Sequence, residues 1–351
     1  MKKRIAFISF GTGGTMGHMS LVTKLALKFL EFGFECSILS EYDYKSFANI
    51  HHTEIDFIRI PQQEHTKTVA GCLNYKYRED LINLIEKKKF HTLIFSTFFD
   101  IGVNEYAKKN DVKTILISYP LRDSHRKAFY IRQYYKFFDK IFTLKDIVDT
   151  EILFPNEENV SPLFIGKYQK DNLVVEKINN ILITCGGGGR PSAELFFNKI
   201  QNIIPKITQE NPDINFILIR GNYKGKIVKL PNLKVINWSK DFLSSLEKCD
   251  LVISEAGYFT LLDLLVMKKP AILIPGERRI DNQELRALNF QSKGCGICIF
   301  PVDDENLLLN ELKKLIKDPS ILSQFSKNLE KERNNILSYK KLEESILEEI
   351  R

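Results

Sequence analysis

Short apolar runs alternate with segments of helical periodicity along the first half of the chain. The runs have the length of strands, and the segments between them place apolar residues three or four positions apart, as amphipathic helices do. Because such alternation implies right-handed crossovers, it predicts a parallel sheet with helices on both faces. We predict strands near 4–10, 35–40, 56–60, 92–97, 113–118 and 139–143, and helices near 19–32, 77–88, 101–109 and 125–136.

The alternation lapses around 152–178, where Pro155 and Pro162 stand among residues of mixed charge. This composition is typical of a linker between domains. The alternation then restarts with the apolar run ILITCG at 181–186, and further apolar runs follow to the end of the second half. Helices are predicted between them near 191–209, 258–267 and 281–293.

The chain of 351 residues is long enough for two domains of ordinary size. We expect an α/β protein with two Rossmann-like, doubly wound domains, residues 1–160 and 161–335. The charged segment 336–351 is expected to be a helix, either packed back on the first domain or exposed. Such domains bind ligands at the carboxyl ends of their strands, so two of them facing each other would share one cleft.

The composition, 44% hydrophobic and 27% charged, is that of a globular protein. A net charge of +7 suits phosphorylated ligands or an anionic membrane surface, but it is too diluted along the chain to indicate nucleic acid. The six cysteines form no disulfide framework, and no secretory signal or long apolar span occurs, so a cytoplasmic location is expected. Cys295 and Cys298 make a lone CxxC, which we interpret as strand packing.

A glycine run opens the second half. Residues 185–197 read CGGGGRPSAELFF, with Gly186, Gly187, Gly188 and Gly189 before a predicted helix start. A helix amino terminus with exposed amides and no Cβ atoms nearby binds anions, and Arg190 adds a positive charge. Four consecutive glycines are costly to order, so we favour a phosphate-binding loop over a tight turn without a ligand.

Two further segments have the features of a ligand site. In SEAGYFTLLDLLVM, starting at Ser254, the small residues Ala256 and Gly257 would let a ligand approach the backbone, and Asp263 could accept ribose hydroxyls. In PGERRIDNQELRAL, residues 275–288, polar side chains cluster at a predicted helix start. Asp281 is expected to be the N-cap in a capping box with Glu284, a role that leaves Gln283 unexplained.

The first loop, FGTGGTMGH at 10–18, has three interpretations: a phosphate cradle, a site where a substrate touches the backbone, or a tight turn. The loop also imitates a dinucleotide-binding fingerprint, with Gly11, Gly13 and Gly17 as the glycines and Glu41 as the acidic residue that ends the next strand. Their spacing is GxGxxxG instead of GxGxxG, and the sequence has no Tyr-x-x-x-Lys. A dehydrogenase is therefore the weakest alternative.

In order along the chain, these motifs resemble the GT-B nucleotide-sugar glycosyltransferases, and most closely the peptidoglycan N-acetylglucosaminyltransferase (MurG) branch. The resemblance implies that the second domain holds a sugar nucleotide, with UDP as the family default. It places the diphosphate at 186–189, the ribose at Asp263 and the donor sugar at Gln283 and Glu284. It assigns the acceptor and diphosphate loop to Gly13, Gly14, Thr15, Gly17 and His18.

The sequence departs from the family pattern at several positions. The first loop has two extra residues before His18, and Glu255 stands where a basic residue is common. Asp263 replaces the usual glutamate, and the usual pair of glutamines is Gln283 and Glu284. These differences concern the sugar and the acceptor more than the fold.

The expected reaction moves an N-acetylglucosamine-like sugar to a hydroxyl acceptor, with inversion at C1 implied by the resemblance. His18 is the candidate base, because the ordinary pKa of histidine lies near neutrality; Asp100 and His125, at other strand ends, are alternatives. The sequence contains no D-x-D triplet, so no metal or other cofactor is expected. A sugar-nucleotide hydrolase or epimerase, and a non-catalytic sugar-nucleotide-binding subunit, remain open.

Residues 124–142, SHRKAFYIRQYYKFFDKIF, are dense in aromatic and basic side chains. They predict either a core helix with a solvated basic face or a peripheral contact with an anionic membrane leaflet. The second interpretation would fit a polyprenyl-linked acceptor in cell-envelope or glycan biosynthesis, used at the inner face of the membrane.

Overall fold

A computed structural model shows two compact units. It describes residues 2–10, 17–41, 54–62, 72–122, 124, 127, 133–162, 175–239, 241–278 and 281–351. Unit 1 comprises Met1–Lys145, Asp149–Leu163 and Tyr339–Arg351, and unit 2 comprises Asp146–Val148 and Phe164–Ser338. Within the described residues, no helix combines the length and the apolar character that crossing a bilayer requires.

Unit 1 is built on a seven-stranded parallel sheet in the order β3-β2-β1-β5-β7-β8-β9. Its inner strands β2, β1, β5, β7 and β8 are almost continuously apolar, and most of their side chains are buried. The strands are β1 Arg4–Ser9, β2 Glu35–Ser40, β3 Asp56–Arg59, β5 Thr92–Ser96, β7 Lys113–Ser118, β8 Lys140–Leu144 and β9 Glu157–Val160. A separate pair joins β4 Cys72–Leu73 to β6 Phe99–Asp100.

Helices of unit 1 follow its strands: α1 Gly17–Glu31, α2 Arg78–Lys88 and α3 Ile101–Lys109. The last helix of the chain, α10 Leu342–Ile350, packs against α1 and β8. Its approach is fixed by backbone hydrogen bonds, from Ser161 N–H to the Lys340 carbonyl and from Leu342 N–H to the Ser161 carbonyl. Leu342 and Ile346 are completely buried there.

Unit 2 is built on a six-stranded parallel sheet in the order β12-β11-β10-β13-β14-β15. Its strands are β10 Asn180–Thr184, β11 Asn215–Ile219, β12 Leu233–Ile236, β13 Leu251–Ser254, β14 Ala271–Leu273 and β15 Gly296–Cys298. Its helices are α4 Ser192–Glu210, α5 Phe242–Glu247, α6 Tyr258–Met267, α7 Gln283–Ser292, α8 Glu305–Lys317 and α9 Ser320–Leu337. Apolar side chains of β10, β13 and α4 form its core.

Two predictions of secondary structure were wrong. The segment interpreted as a linker contains β9, a polar strand with the sequence EENV at the edge of the first sheet. Its buried Glu157 is satisfied by Thr143 Oγ1 at 2.5 Å and by the Leu153 amide at 2.8 Å. The segment 336–351 is not one continuous helix, since residues 338–341 separate α9 from α10, although α10 fills most of it and packs on unit 1.

Candidate functional site

Three connections meet at one edge of the sheet in unit 2. The strands β10, β13 and β14 are neighbours and run parallel, so the segments that follow them leave from the same carboxyl edge. These segments are 185–191, 255–257 and the described residues of 274–282, and each is followed by a helix. They carry most of the side chains predicted to hold a donor, and this edge is where doubly wound sheets bind ligands.

The glycine run after β10 is partly a packing requirement. Gly186 and Gly188 have φ angles of +65° and +64°, which favour glycine. A Cβ atom on Gly188 would lie 2.3 Å from the Arg220 carbonyl oxygen, and the Gly187 carbonyl accepts a hydrogen bond from the Asn222 amide at 2.8 Å. One side of the run therefore packs against residues 220–223.

The other side of the run remains accessible. Gly189 is exposed and Arg190 is half-buried, directly before Pro191 and the start of α4. The amides of Ala193 and Glu194 already donate to the carbonyls of Arg190 and Pro191. Within the run, the Gly186 amide likewise donates to Thr184 Oγ1 at 3.1 Å.

A hydrogen-bonded triad of the buried Glu255 with the half-buried Ser192 and Arg278 joins the three segments. Glu255, after β13, accepts from Ser192 Oγ at 2.8 Å and from the Arg278 guanidinium at 2.7 Å. Arg278 also donates to Ser192 Oγ at 2.6 Å. Burial raises the pKa of the Glu255 carboxyl, although Arg278 and the Ser192 hydrogen bond oppose that shift. Arg278 is a site residue that the sequence analysis missed; its only signal was the run of charges in GERR.

A second cation, the fully buried Arg286 on α7, holds the neighbouring loop. Its guanidinium donates to Asp146, to Asp281 and to the Ala256 carbonyl, each at 2.8 Å. The expected capping role of Asp281 was wrong, because Asn282 is the N-cap of α7 and accepts from the Leu285 amide at 3.2 Å. Asp281 is drawn away from the helix amides by its ion pair with Arg286.

The remaining donor-side residues lie around the same edge. Ser254 and Ala256 are buried, and Gly257 is the N-cap of α6. Gln283 is buried, and its Oε1 accepts from the Gly276 amide at 2.9 Å, so part of its amide holds the loop after β14. Asp263, within α6, and Glu284, at the start of α7, are half-buried.

In unit 1, His18 lies in the first turn of α1, which begins at Gly17. Its Nδ1 is 3.3 Å from Ser96 Oγ, at the end of β5, and its ring meets Phe98 and Tyr119 edge-on. The predicted loop residues Gly13, Gly14 and Thr15, and the alternative base His125, lie outside the described residues, as does most of 124–132.

The Asp100 carboxylate accepts hydrogen bonds from three residues of unit 1. It is the N-cap of α3, accepting from the Val103 amide at 3.1 Å, and it also accepts from the Tyr75 amide at 2.8 Å. Arg78 donates to both of its oxygens, at 2.6 and 2.9 Å. The carboxylate is completely buried.

The cysteines and acidic residues form no metal cluster in the described parts of the chain. Cys295 and Cys298 are free thiols. Cys295 directly precedes β15 and is buried, whereas Cys298 is the last residue of β15 and is half-buried. The Cys298 amide donates to Gln291.

Comparison with known proteins finds related glycosyltransferases. Residues 180–342 match the glycosyltransferase family 28 C-terminal domain. The chain is 25% identical over 329 residues to the UDP-N-acetylglucosamine–N-acetylmuramyl-(pentapeptide) pyrophosphoryl-undecaprenol N-acetylglucosamine transferase of Pelagibacter ubique, covering 88% of this chain and 89% of the relative. The enzyme of that name from Acetivibrio thermocellus is 30% identical over 158 residues, 42% of each chain.

Solved structures show the same fold. The MurG of Acinetobacter baumannii superimposes with a TM-score of 0.62 at 14% identity, covering 96% of this chain and 99% of that one. The spinosyn forosaminyltransferase SpnP gives a TM-score of 0.69 at 13% identity, covering 99% and 98%. The chain is therefore a glycosyltransferase of the GT-B fold, similar to the MurG branch, and its residues 180–342 match the glycosyltransferase family 28 C-terminal domain.

Proposed function

We propose that this enzyme transfers an N-acetylglucosamine-like sugar from UDP to a hydroxyl group of a polyprenyl-linked acceptor, with inversion at C1 and without a metal ion. The observation that carries the proposal is the meeting of the glycine run, the 255–257 segment and the 274–282 loop at one sheet edge of the family 28 domain. The donor and the acceptor are taken from what the relatives are named for.

Unit 2 is proposed to bind the donor. The glycine run 186–189 and Arg190 would face the diphosphate, and Ser254, Ala256 and Gly257 would let the nucleotide approach the backbone. Asp263 would accept ribose hydroxyls. Gln283 and Glu284 would contact the sugar; since Gln283 Oε1 already binds the Gly276 amide, its Nε2 is the atom that would donate.

Unit 1 is proposed to bind the acceptor, with the loop at Gly13, Gly14, Thr15 and Gly17 near its diphosphate. His18 would take the proton from the acceptor hydroxyl, whose oxygen forms a bond to sugar C1 while the C1–O bond to UDP breaks. Because this is a single displacement, the configuration at C1 inverts. The negative charge gained by UDP would be stabilised by the loop amides and Arg190, which takes the place of a metal.

Asp100 is a weaker proposal for the base. Its two oxygens already accept four hydrogen bonds from Arg78, Tyr75 and Val103, which hold the carboxylate inside unit 1. His18 keeps a half-buried ring at the carboxyl end of β5.

Membrane contact through 124–142 at the inner face of the membrane is part of the proposal. Among the described residues of this segment, the half-buried ring of Phe137 lies 5.6 Å from the ammonium of Lys136 and 6.0 Å from that of Lys108. Basic side chains around an aromatic ring suit an anionic headgroup layer.

The experiment is an assay of UDP release from UDP-N-acetylglucosamine, with and without an undecaprenyl-diphosphate-linked muramyl-pentapeptide acceptor. Acceptor-dependent release would support the proposal, and the anomeric proton of the product, observed by NMR, reports inversion. Full activity in a chelator would support metal independence. Equal release without acceptor would indicate a hydrolase, an isomerised sugar nucleotide an epimerase, and binding without turnover a non-catalytic subunit.

A further inference from the structure

A buried carboxylate lies at the edge where the donor diphosphate is proposed to bind. Glu255 directly follows β13, and its side chain is only 5% exposed. An unpaired carboxylate here would repel a diphosphate, and low local dielectric would strengthen that repulsion. The site therefore works for an anionic donor only if this charge is neutralised.

Arg278 is placed to neutralise it. Its NH2 nitrogen lies 2.7 Å from Glu255 Oε2, and its side chain is 15% exposed, so the cation covers the carboxylate from the outer side. Ser192 Oγ bridges the pair, donating to Glu255 and accepting from Arg278. Because Ser192 is the first residue of α4, the same triad fixes the helix start behind the glycine run.

The loop after β14 is shaped around this pair. A Cβ atom on Gly276 would lie 2.5 Å from Glu255 Oε1 and 2.8 Å from the Arg278 NH1 nitrogen. A side chain at this position would displace the ends of the Glu255 and Arg278 side chains, so the glycine leaves room for the pair. The Gly276 amide is in turn held by Gln283 Oε1.

We propose that Arg278 is a positioning residue for the donor, which sets donor affinity by neutralising Glu255 and by holding Ser192 at the start of α4. This inference rests on the proposed function, since it needs a nucleoside diphosphate at this edge. Arg278 donates to Glu255, to Ser192 and to the Glu277 carbonyl, and the role assigned to it is to position these groups.

The test is a double-mutant cycle, with UDP binding measured by titration calorimetry on the full chain. Arg278→Met leaves the carboxylate uncompensated, and we expect UDP to bind on the order of tenfold more weakly. Glu255→Gln keeps the shape and removes the negative charge, so UDP affinity is expected to stay equal or to rise. The double variant Glu255→Gln/Arg278→Met should recover most of the lost affinity.

Two controls separate charge from folding. Arg278→Lys keeps the positive charge and should bind UDP close to the wild-type level, even if Arg278→Met unfolds. Lys313→Met removes a cation of the same unit from an exposed ion pair with Glu210, and it should leave UDP affinity unchanged.

Three outcomes would overturn the inference while the wild type still binds UDP. Equal affinity in all variants would show that the triad lies away from the donor. A double variant as weak as Arg278→Met would mean that Arg278 binds the phosphates itself, and a Glu255→Gln variant as weak as Arg278→Met would mean that the triad only supports the loop. Failure of the wild type to bind UDP would instead overturn the proposed function, and this inference with it.

Discussion

Arg286 Nε donates to Asp146 Oδ2 at 2.8 Å, although 140 positions separate the two residues. The Arg286 side chain is 1% exposed and that of Asp146 is not exposed at all. Burial lowers the pKa of the Arg286 guanidinium, but the carboxylates of Asp281 and Asp146 raise it by more. The net effect is a raised pKa, so Arg286 stays positively charged. This ion pair holds the short segment Asp146–Val148 in unit 2.

Replacing Arg286 should strongly destabilise unit 2. Arg286→Met leaves the Asp146 carboxylate buried without its partner, and the expected loss is about 3–5 kcal/mol in the free energy of unfolding. Urea denaturation followed by circular dichroism measures the loss. Lys313→Met, which breaks an exposed pair, should cost less than about 1 kcal/mol. Similar midpoints for the two variants would contradict a stabilising role for the buried pair.

His18 can be tested separately from donor binding. If it is the base, His18→Ala should lower kcat on the order of a hundredfold, while UDP affinity stays near the wild-type value. Steady-state assays with both substrates and calorimetry with UDP measure the two effects. His91→Ala is the matched control, because His91 is an exposed histidine of the same unit whose Nδ1 accepts from the Arg4 amide. A loss confined to apparent substrate affinity would reassign His18 to binding.

The glycine run should divide into a structural and a functional position. Gly188→Val places a side chain on a residue with a φ of +64° and against the Arg220 carbonyl oxygen. The free energy of unfolding should therefore fall by about 2 kcal/mol or more. At Gly189 a Cβ atom would be in ordinary contact with Asn222, 3.7 Å away, so Gly189→Val should fold normally and bind UDP more weakly. Thermal unfolding and calorimetry on both variants measure this; wild-type UDP affinity in Gly189→Val would speak against the phosphate loop.

The described thiols should react slowly in the native protein. Burial raises the pKa of Cys36, Cys185, Cys249 and Cys295 to about 12, and that of Cys298 to about 11. At pH 8 almost no thiolate is present at these sites, and the thiolate is the reactive form. A chromogenic disulfide reagent should therefore label them far more slowly in buffer than in guanidinium chloride. Rapid oxidation of Cys295 with Cys298 would contradict the strand-packing interpretation.

Local patterns predicted most of the regular structure. The apolar runs that became β2 and β7 were placed correctly to the residue, as were the helices α3 and α6. The missed strand β9 is polar because it lies at the sheet edge, and its one buried acid is satisfied by Thr143 and a backbone amide. Periodicity of apolar residues cannot indicate such a strand.

The interactions around the donor site were harder to predict, because they join residues far apart in the chain. The triad of Ser192, Glu255 and Arg278 depends on β10, β13 and β14 being neighbours, and that order is a property of the sheet. Asp281 shows the same limitation: a capping-box pattern was present, but the ion pair with Arg286 determines where its carboxylate lies. Spacing along one helix also could not have revealed that Asp146 is the second carboxylate paired with Arg286.

The placement of α10 in unit 1 has a consequence for biosynthesis. This unit needs both the first strand and the last helix, whose Leu342, Ile346 and Ile350 are buried. A nascent chain therefore cannot complete its amino-terminal unit until residue 350 has left the ribosome, by which time the whole of unit 2 has already emerged. Until then the surface that α10 covers stays open to solvent and to chaperones.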